Sequence, residues 1–140
     1  MKVHHIALSV KDAEKSAGFY ASTFGFEEVN RFTKPEWDGG AIVLQLGDLQ
    51  LELFSFHDST KQTDDSSNLK VRGLKHLGIQ VENVHKKYEE LKTKGVDIDT
   101  PIRGATCAWF CFLRDPDGIT IELIEPRSFP RASHPRRRNP

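Results

Sequence analysis

The feature that most constrains the fold is a pair of chemically unusual residues that occurs twice at nearly constant spacing. His5 and His76 each lie in an apolar, β-rich segment and are 71 positions apart. Glu52 and Glu122 each interrupt a run of apolar residues and are 70 positions apart. One such coincidence carries little weight, but two pairs in register indicate a duplicated module. The chain is therefore expected to contain two similar units in tandem.

Apolar periodicity and turn residues predict the order β-α-β-β-β in each copy. In the first copy Asp12 is a candidate helix N-cap and Gly25 ends the helix. In the second copy Asn83 and Gly95 have the same two roles. The predicted strands are 3–10, 26–32, 41–46, 49–56, 74–81, 96–102, 105–113 and 119–125, with a hairpin turn at 47–48.

Length and composition favour a single domain. A chain of 140 residues is long enough to bury one core but not two full-sized ones. Residues 1–125 are expected to form this domain, with a first module (1–56), a polar linker (57–70) and a second module (71–125). Residues 126–140 contain Arg and Pro but no acid, and are expected to form a disordered basic tail. An arm that contacts a partner or a polyanion is the alternative.

Charge and hydropathy argue against nucleic acid and membranes as partners. The formal net charge is zero, so no field of the whole chain favours either of them. No apolar run approaches the roughly 20 residues that span a bilayer. The N-terminus is expected to enter a strand directly and to leave no room for a signal peptide. Cys107 and Cys111 are predicted to be reduced, because residues four apart in a strand are separated by about 13 Å. A cytoplasmic location is therefore expected.

Two imidazoles and two carboxylates form a candidate metal site. An unpaired carboxylate within an apolar strand costs several kcal/mol to bury, and a metal ion is one partner that can hold it. His5, Glu52, His76 and Glu122 together suit a divalent metal such as nickel, zinc, cobalt or manganese, with two coordination positions open for a substrate. Each of these side chains alone would more often simply face solvent. The repeat in register favours the metal site, and His4 is left out because only His5 matches His76.

Short motifs surround the candidate ligands in both copies. They are His5-Ile-Ala-Leu-Ser-Val, Phe19-Tyr20 … Phe24-Gly25-Phe26, Glu52-Leu53, His76-Leu77-Gly78-Ile79 and Asp115-Pro-Asp-Gly … Ile121-Glu122-Leu123. As a set they resemble the vicinal oxygen chelate superfamily (the glyoxalase/bleomycin resistance/dioxygenase family), most closely its glyoxalase I branch. The resemblance implies an α+β fold in which two tandem βαβββ modules form a cupped, incomplete barrel around a metal site. It also implies a homodimer in which His5 and Glu52 of one chain meet His76 and Glu122 of the other.

The complete ligand set indicates a branch of this superfamily. Its dioxygenases use iron with two histidines and one carboxylate, which would leave Glu52 unused, and its epimerases usually carry Gln there. The resemblance therefore implies a metal-dependent lyase similar to lactoylglutathione lyase, which abstracts a proton α to a carbonyl of a small-molecule substrate, such as the hemithioacetal of a 2-oxoaldehyde. Glu122 is implied as the base, with Glu52 as the second candidate. An epimerase, a dioxygenase and a non-catalytic binding protein stay open as alternatives.

The chain departs from glutathione-dependent relatives at two positions. Those relatives carry Arg where this chain has Ser9 and Asn where it has Phe56, and both residues hold the glutamyl end of glutathione. Another thiol, or a substrate without a thiol, is therefore an alternative. Four aromatic residues are candidates for lining the pocket: Trp37, Trp109, Phe110 and Phe112. In strands, such residues more often belong to the core.

Overall fold

The order β-α-β-β-β occurs twice in the chain, as predicted. The computed structural model describes residues 3–61 and 68–127. Its helices and strands are β1 His5–Ser9, α1 Ala13–Phe24, β2 Glu27–Phe32, β3 Gly39–Leu46, β4 Leu49–Phe56, β5 Leu77–Gln80, α2 Val84–Thr93, β6 Ile102–Arg103, β7 Trp109–Arg114 and β8 Thr120–Glu125.

Each copy forms its own four-stranded mixed sheet. The strand order is β1-β4-β3-β2 in the first sheet and β5-β8-β7-β6 in the second. The pairs β1–β4 and β5–β8 are parallel, and the neighbouring pairs are antiparallel. The predicted α+β fold of two tandem βαβββ modules is thereby confirmed, and both sheets are open rather than closed into barrels.

The register of the two sheets repeats with the sequence. Ala7 pairs with Glu52 across β1 and β4, and Gly78 pairs with Glu122 across β5 and β8. Ala7 and Gly78 are 71 positions apart, which is also the separation of the two candidate histidines. The duplication is therefore present in the hydrogen-bonded structure as well as in the sequence.

The two helices begin at matching caps. The Asp12 side chain accepts a hydrogen bond from the backbone N–H of Lys15 at 3.0 Å, and the Asn83 side chain accepts one from that of Lys86 at 2.8 Å. Each cap satisfies an N–H group that has no partner within the first turn. Helix α1 ends at Gly25, whose φ of 80° lies in the left-handed region that favours glycine.

One hydrophobic core joins both helices to one face of each sheet. Leu51 and Leu53 of β4 belong to it and are completely buried, as are Ile121 and Leu123 of β8. Successive side chains of a strand point to opposite faces. The residue between each buried pair therefore points away from the core, and in both strands that residue is a predicted glutamate ligand.

The Asp-Pro-Asp-Gly turn before β8 holds the two modules together. The Tyr20 hydroxyl in α1 donates a hydrogen bond to Asp115 at 3.1 Å. The Ser16 hydroxyl and the backbone N–H of Lys11 donate to the carboxylate of Asp117. Burial raises the pKa of the Asp115 carboxyl and also that of the Tyr20 hydroxyl. This polar joint fixes the first helix against the second module.

Most predicted strands are shorter in the structure, and three of them lose four or more residues. Strand β5 begins at Leu77 rather than at residue 74, so His76 precedes the strand instead of lying inside it. Strand β7 begins at Trp109 rather than at residue 105. The predicted strand 96–102 is reduced to a single bridge between Ile98 and Leu113, followed by β6. On its outer side β7 pairs with the two-residue β6 and with Ile98, and residues 105–108 of the predicted strand lie in the loop before β7.

Two backbone carbonyls of the loop before β7 accept hydrogen bonds from a side chain. Arg127 donates to the backbone carbonyls of Gly104 and Cys107, at 2.7 and 2.9 Å. These carbonyl groups are thereby satisfied without a sheet partner. Cys107 and Cys111 are both buried free thiols, as predicted.

Some sequence predictions fall on residues outside the described ranges. The predicted disordered tail is described only as far as residue 127, and residues 62–67 of the predicted linker are also outside. Within 3–61 and 68–127, no helix combines the length and apolar character needed to cross a bilayer.

Candidate metal centre

The first module brings His5 and Glu52 together. His5 begins β1, and Glu52 lies in the middle of the parallel neighbour β4. The His5 Nε2 atom lies 3.7 Å from the Glu52 Oε2 atom, and the side chains are 44% and 23% exposed. Glu52 faces away from the core because Leu51 and Leu53 on either side of it face inward. The pair is therefore held by strand alternation and is open to solvent.

The second module repeats this pair with His76 and Glu122. His76 immediately precedes β5, and Glu122 lies in the parallel neighbour β8. The His76 Nε2 atom lies 3.0 Å from the Glu122 Oε2 atom, with side-chain exposures of 35% and 18%. The His76 ring also packs on Phe112, with 5.5 Å between the ring centroids. Opposite Glu122 stands Gly78, where an added Cβ atom would lie 3.9 Å from Glu122 Oε2.

The donor atoms of each pair fit a divalent metal, but one chain does not close a four-ligand site. An imidazole nitrogen beside a carboxylate oxygen is a combination that first-row divalent metals accept. Among residues 3–61 and 68–127, however, no three His, Cys, Asp or Glu side chains come close enough to hold an ion together. The structure therefore brings together His5 with Glu52 and His76 with Glu122, but not one pair with the other.

His4 contacts the first pair without joining it. Its Nδ1 atom lies 2.9 Å from the Nδ1 atom of His5, and the two rings meet edge to face with 5.2 Å between centroids. The Nε2 atom of His5 therefore remains directed at Glu52 while its other nitrogen contacts His4. From the sequence, His4 was considered only as an alternative ligand, and its contact with His5 was not predicted.

Aromatic side chains line the same face as each glutamate. Phe54 and Phe56 follow Glu52 at intervals of two along β4, and Trp37 packs on both of them with centroid distances of 5.9 and 5.3 Å. Trp37 was a predicted pocket residue, and Phe56 was named only as the position where glutathione-dependent relatives carry Asn. Phe54 was missed, although its alternation with Leu53 marks its face.

The other three predicted pocket aromatics lie in β7 and divide between its two faces. Phe112 pairs with Glu122, and Phe110 has the same strand parity. Trp109 packs against the core instead, with its ring 4.4 Å from that of His85. The core interpretation is therefore correct for Trp109.

Two clefts elsewhere in the described chain contain none of the four candidate ligands. One, of about 440 Å³, lies beside the start of α1 and includes Arg31, whose guanidinium is already bound by Glu14 and Glu28. The other, of about 630 Å³, lies between the end of α1 and the start of α2. The pairing of His with Glu, rather than cleft size, therefore marks the candidate site.

Comparison with known proteins gives relatives along nearly the whole chain. YwkD of Bacillus subtilis is 35% identical over 126 residues, which are 88% of this chain and 95% of YwkD. Human mitochondrial methylmalonyl-CoA epimerase is 28% identical, covering 87% of this chain and 72% of the epimerase. Lactoylglutathione lyase of Pseudomonas putida is 26% identical, covering 88% of this chain and 84% of the lyase.

The fold is shared with solved structures as well. The crystal structure of SMU.1112c superposes with a TM-score of 0.76 at 32% identity, covering 89% of this chain and 98% of that chain. The family model that describes the Glyoxalase/Bleomycin resistance protein/Dioxygenase superfamily matches residues 2–123. With the paired modules and their repeated His–Glu pairs, these matches show that the chain belongs to the glyoxalase/bleomycin resistance protein/dioxygenase superfamily.

Proposed function

We propose that this protein is a metal-dependent lyase or isomerase that abstracts a proton α to a carbonyl. The observation that supports this most directly is the repetition of one donor pair at equivalent positions of two modules. The separation of His Nε2 from Glu Oε2 is 3.7 Å in the first pair and 3.0 Å in the second. Both glutamates point away from the core, so neither is needed to build it.

A complete site on this proposal is built by two chains. The two pairs are not brought together within the described part of one chain. In a homodimer, His5 and Glu52 of one chain would meet His76 and Glu122 of the other. Two carboxylates would then balance the charge of a divalent cation, which lowers the cost of placing all of these charges in one site.

The four side chains would hold nickel, zinc, cobalt or manganese. When bound, such a metal supplies a Lewis acid for the two neighbouring oxygens of the substrate. The carboxylate of Glu122 would take the proton from the carbon α to the carbonyl and return it to the adjacent carbonyl carbon. For the hemithioacetal of methylglyoxal, the hydrogen would move from the carbon that carries hydroxyl and sulfur to the carbonyl carbon, and the hydroxyl proton would move to the other oxygen. The product is a thioester of lactate, with no atom gained or lost.

Glu122 is preferred over Glu52 as the base because of its surroundings. It is less exposed than Glu52, and the hydrogen-only side chain of Gly78 leaves its carboxylate free space to move. A base that must approach a substrate carbon benefits from such space, since proton transfer requires hydrogen-bond distance. Glu52 is the alternative base and is otherwise a ligand.

An epimerase is the second candidate. It is favoured by the 28% identity with human methylmalonyl-CoA epimerase, which exceeds the 26% identity with the P. putida lyase. The proton abstraction would be the same, but a proton would be delivered to the same carbon from its opposite face, which inverts that centre. The two candidates therefore differ in the product and not in the first step.

The experiment is a turnover assay on metal-stripped protein reconstituted in turn with nickel, cobalt, manganese and zinc. We expect thioester formation from methylglyoxal and one member of a thiol panel, only when metal is present. Loss of a residue that only hydrogen-bonds to a metal ligand lowers metal affinity by roughly 10–100-fold, and His76→Ala should lower it by more than that. His57→Ala, a change at an exposed histidine, is the matched control. Stoichiometric metal without thioester formation, but with exchange of the α-proton of a CoA thioester, would replace the lyase by the epimerase.

A further inference from the structure

A cluster of four aromatic rings covers the part of the first sheet that adjoins Glu52. It consists of Phe32 at the end of β2, Trp37 in the following loop, and Phe54 and Phe56 of β4, and is called here the aromatic wall. Phe54 and Phe56 lie parallel, with 6° between their planes and 6.5 Å between centroids. Phe32 and Trp37 each meet Phe54 with centroids 5.9 Å apart. These are favourable geometries for ring pairs.

The aromatic wall is continuous with the candidate metal ligand. Glu52 and Phe54 are two residues apart on one strand, which places them on one face with about 6.7 Å between their Cα atoms. The neighbours across the sheet are small: Ser9 and Ala41 flank Phe54. Opposite Phe56 stands Gly39, where a Cβ atom would collide with the backbone carbonyl of Ser55. The rings and the carboxylate therefore share one face of the sheet, and the residues paired with the two phenylalanines are small.

The aromatic wall does not serve the core of the protein. None of its four members belongs to the core or to the partly buried side chains packed against it. All four are half-buried. A contiguous half-exposed apolar patch is unusual on a soluble domain and commonly marks a binding surface. Because this one ends at a metal-ligand pair, we favour a substrate group as its occupant over another macromolecule.

We propose that the aromatic wall binds a flat apolar group of the substrate, such as a phenyl ring. This group is attached to one of the two carbons that carry the neighbouring oxygens. This inference rests on the proposed function, because it names the substrate class of the same site. A flat group can stack on Phe54 or meet Trp37 edge to face while the oxygens remain at the His–Glu pair. A polar chain would leave its own hydrogen-bonding groups unsatisfied against the four rings.

The test compares two oxygen chelators that differ only in the group placed against the wall. Benzohydroxamate and acetohydroxamate are titrated calorimetrically into nickel-loaded protein. We expect benzohydroxamate to bind at least about tenfold more tightly, which is the scale of one good ring contact with its burial. In Trp37→Ser and in Phe54→Ser the ratio should fall to about twofold or less. Trp109→Phe, a change at a core-packed ring, should leave the ratio unchanged.

A second readout separates this inference from the proposed function. Trp37 fluorescence is followed in Trp109→Phe, where it is the sole tryptophan. Metal-free protein should show a saturable change with benzohydroxamate, lost on adding Phe54→Ser, and no change with acetohydroxamate. If the protein takes up no nickel but the fluorescence change with benzohydroxamate persists, the metal-dependent function is refuted and the binding role of the aromatic wall stands. If both hydroxamates bind equally to nickel-loaded protein, the binding role of the aromatic wall is refuted and the metal site stands.

The alternative occupant of the aromatic wall is a second copy of this chain, and the same variants test for it. Light scattering of Trp37→Ser and Phe54→Ser should give the mass of the unchanged protein. A shift of both variants to a smaller mass would overturn the inference, because the wall would then be a contact between chains.

Discussion

The two modules carry the same His–Glu pair in different surroundings. Around Glu52 the first module places an aromatic wall and the small neighbours Ala7 and Ser9. Around Glu122 the second module places a glycine, Phe112 and a closer histidine, with 3.0 Å between nitrogen and oxygen instead of 3.7 Å. A duplicated unit thus kept its donor atoms while the residues beside them diverged. We infer a division of labour, in which the first module selects the substrate and the second transfers the proton.

The largest effect is expected from exchanging the two glutamates for glutamine separately. Glu122→Gln should lower kcat by about 10²–10⁴-fold, the range for loss of a general base. Glu52→Gln removes a charged ligand but not the proposed base, so its loss of kcat at saturating metal should be at least tenfold smaller. Steady-state kinetics with metal analysis of each variant measures the difference. Equal losses, or an active Glu122→Gln with full metal, would contradict the division of labour.

This contrast also shows which parts of the site the sequence predicts. The positions of Glu52 and Glu122 were predictable because strand alternation is local, so the leucines and isoleucines beside each residue determine its face. The same rule puts Phe54 and Phe56 on the face of Glu52. The ring of Trp37 follows no such rule, since it reaches the cluster from a loop whose path depends on the fold.

Contacts between the modules were beyond the reach of sequence patterns. Tyr20 and Asp115 form a buried hydrogen bond and are 95 positions apart, and the residues around each of them do not predict this contact. Tyr20 follows helical periodicity and reads as an ordinary core residue, whereas Asp115 reads as a turn residue. His76 was misplaced inside a strand for a related reason. The start of β5 depends on where its parallel partner β8 begins to pair, at Ile121.

The next largest effect concerns stability and compares one tyrosine from each helix. Tyr20→Phe removes the hydroxyl that donates to Asp115 in a buried site. The free energy of unfolding should fall by about 1.5–3 kcal/mol, as for hydrogen bonds to charged groups. Tyr88 of α2 is half-buried, and Tyr88→Phe should change stability by less than about 0.5 kcal/mol. Urea denaturation measures both. Equal effects would mean that the polar joint does not stabilise the contact between modules.

The smallest expected effect comes from making the two modules alike beside their glutamates. Gly78 and Ala7 occupy the same place in the repeat, opposite Glu122 and Glu52. The backbone of Gly78 is not in the left-handed region, and an added Cβ would lie 3.9 Å from Glu122, an ordinary contact distance. Gly78→Ala should therefore raise the free energy of unfolding by about 0.5–1 kcal/mol, because glycine costs that much within a strand, and Ala7→Gly should lower it by a similar amount.

Activity measured on the same two variants tests whether proton transfer needs the space beside Glu122. If space beside Glu122 is needed for proton transfer, Gly78→Ala will lower kcat at unchanged metal content even though it stabilises the fold. Ala7→Gly should leave kcat unchanged, because Glu52 is assigned no proton. Opposite signs for stability and kcat in Gly78→Ala would identify the glycine as retained for function at the expense of stability. Equal kcat in Gly78→Ala and the unchanged protein would show that the preference for Glu122 cannot rest on the space beside it.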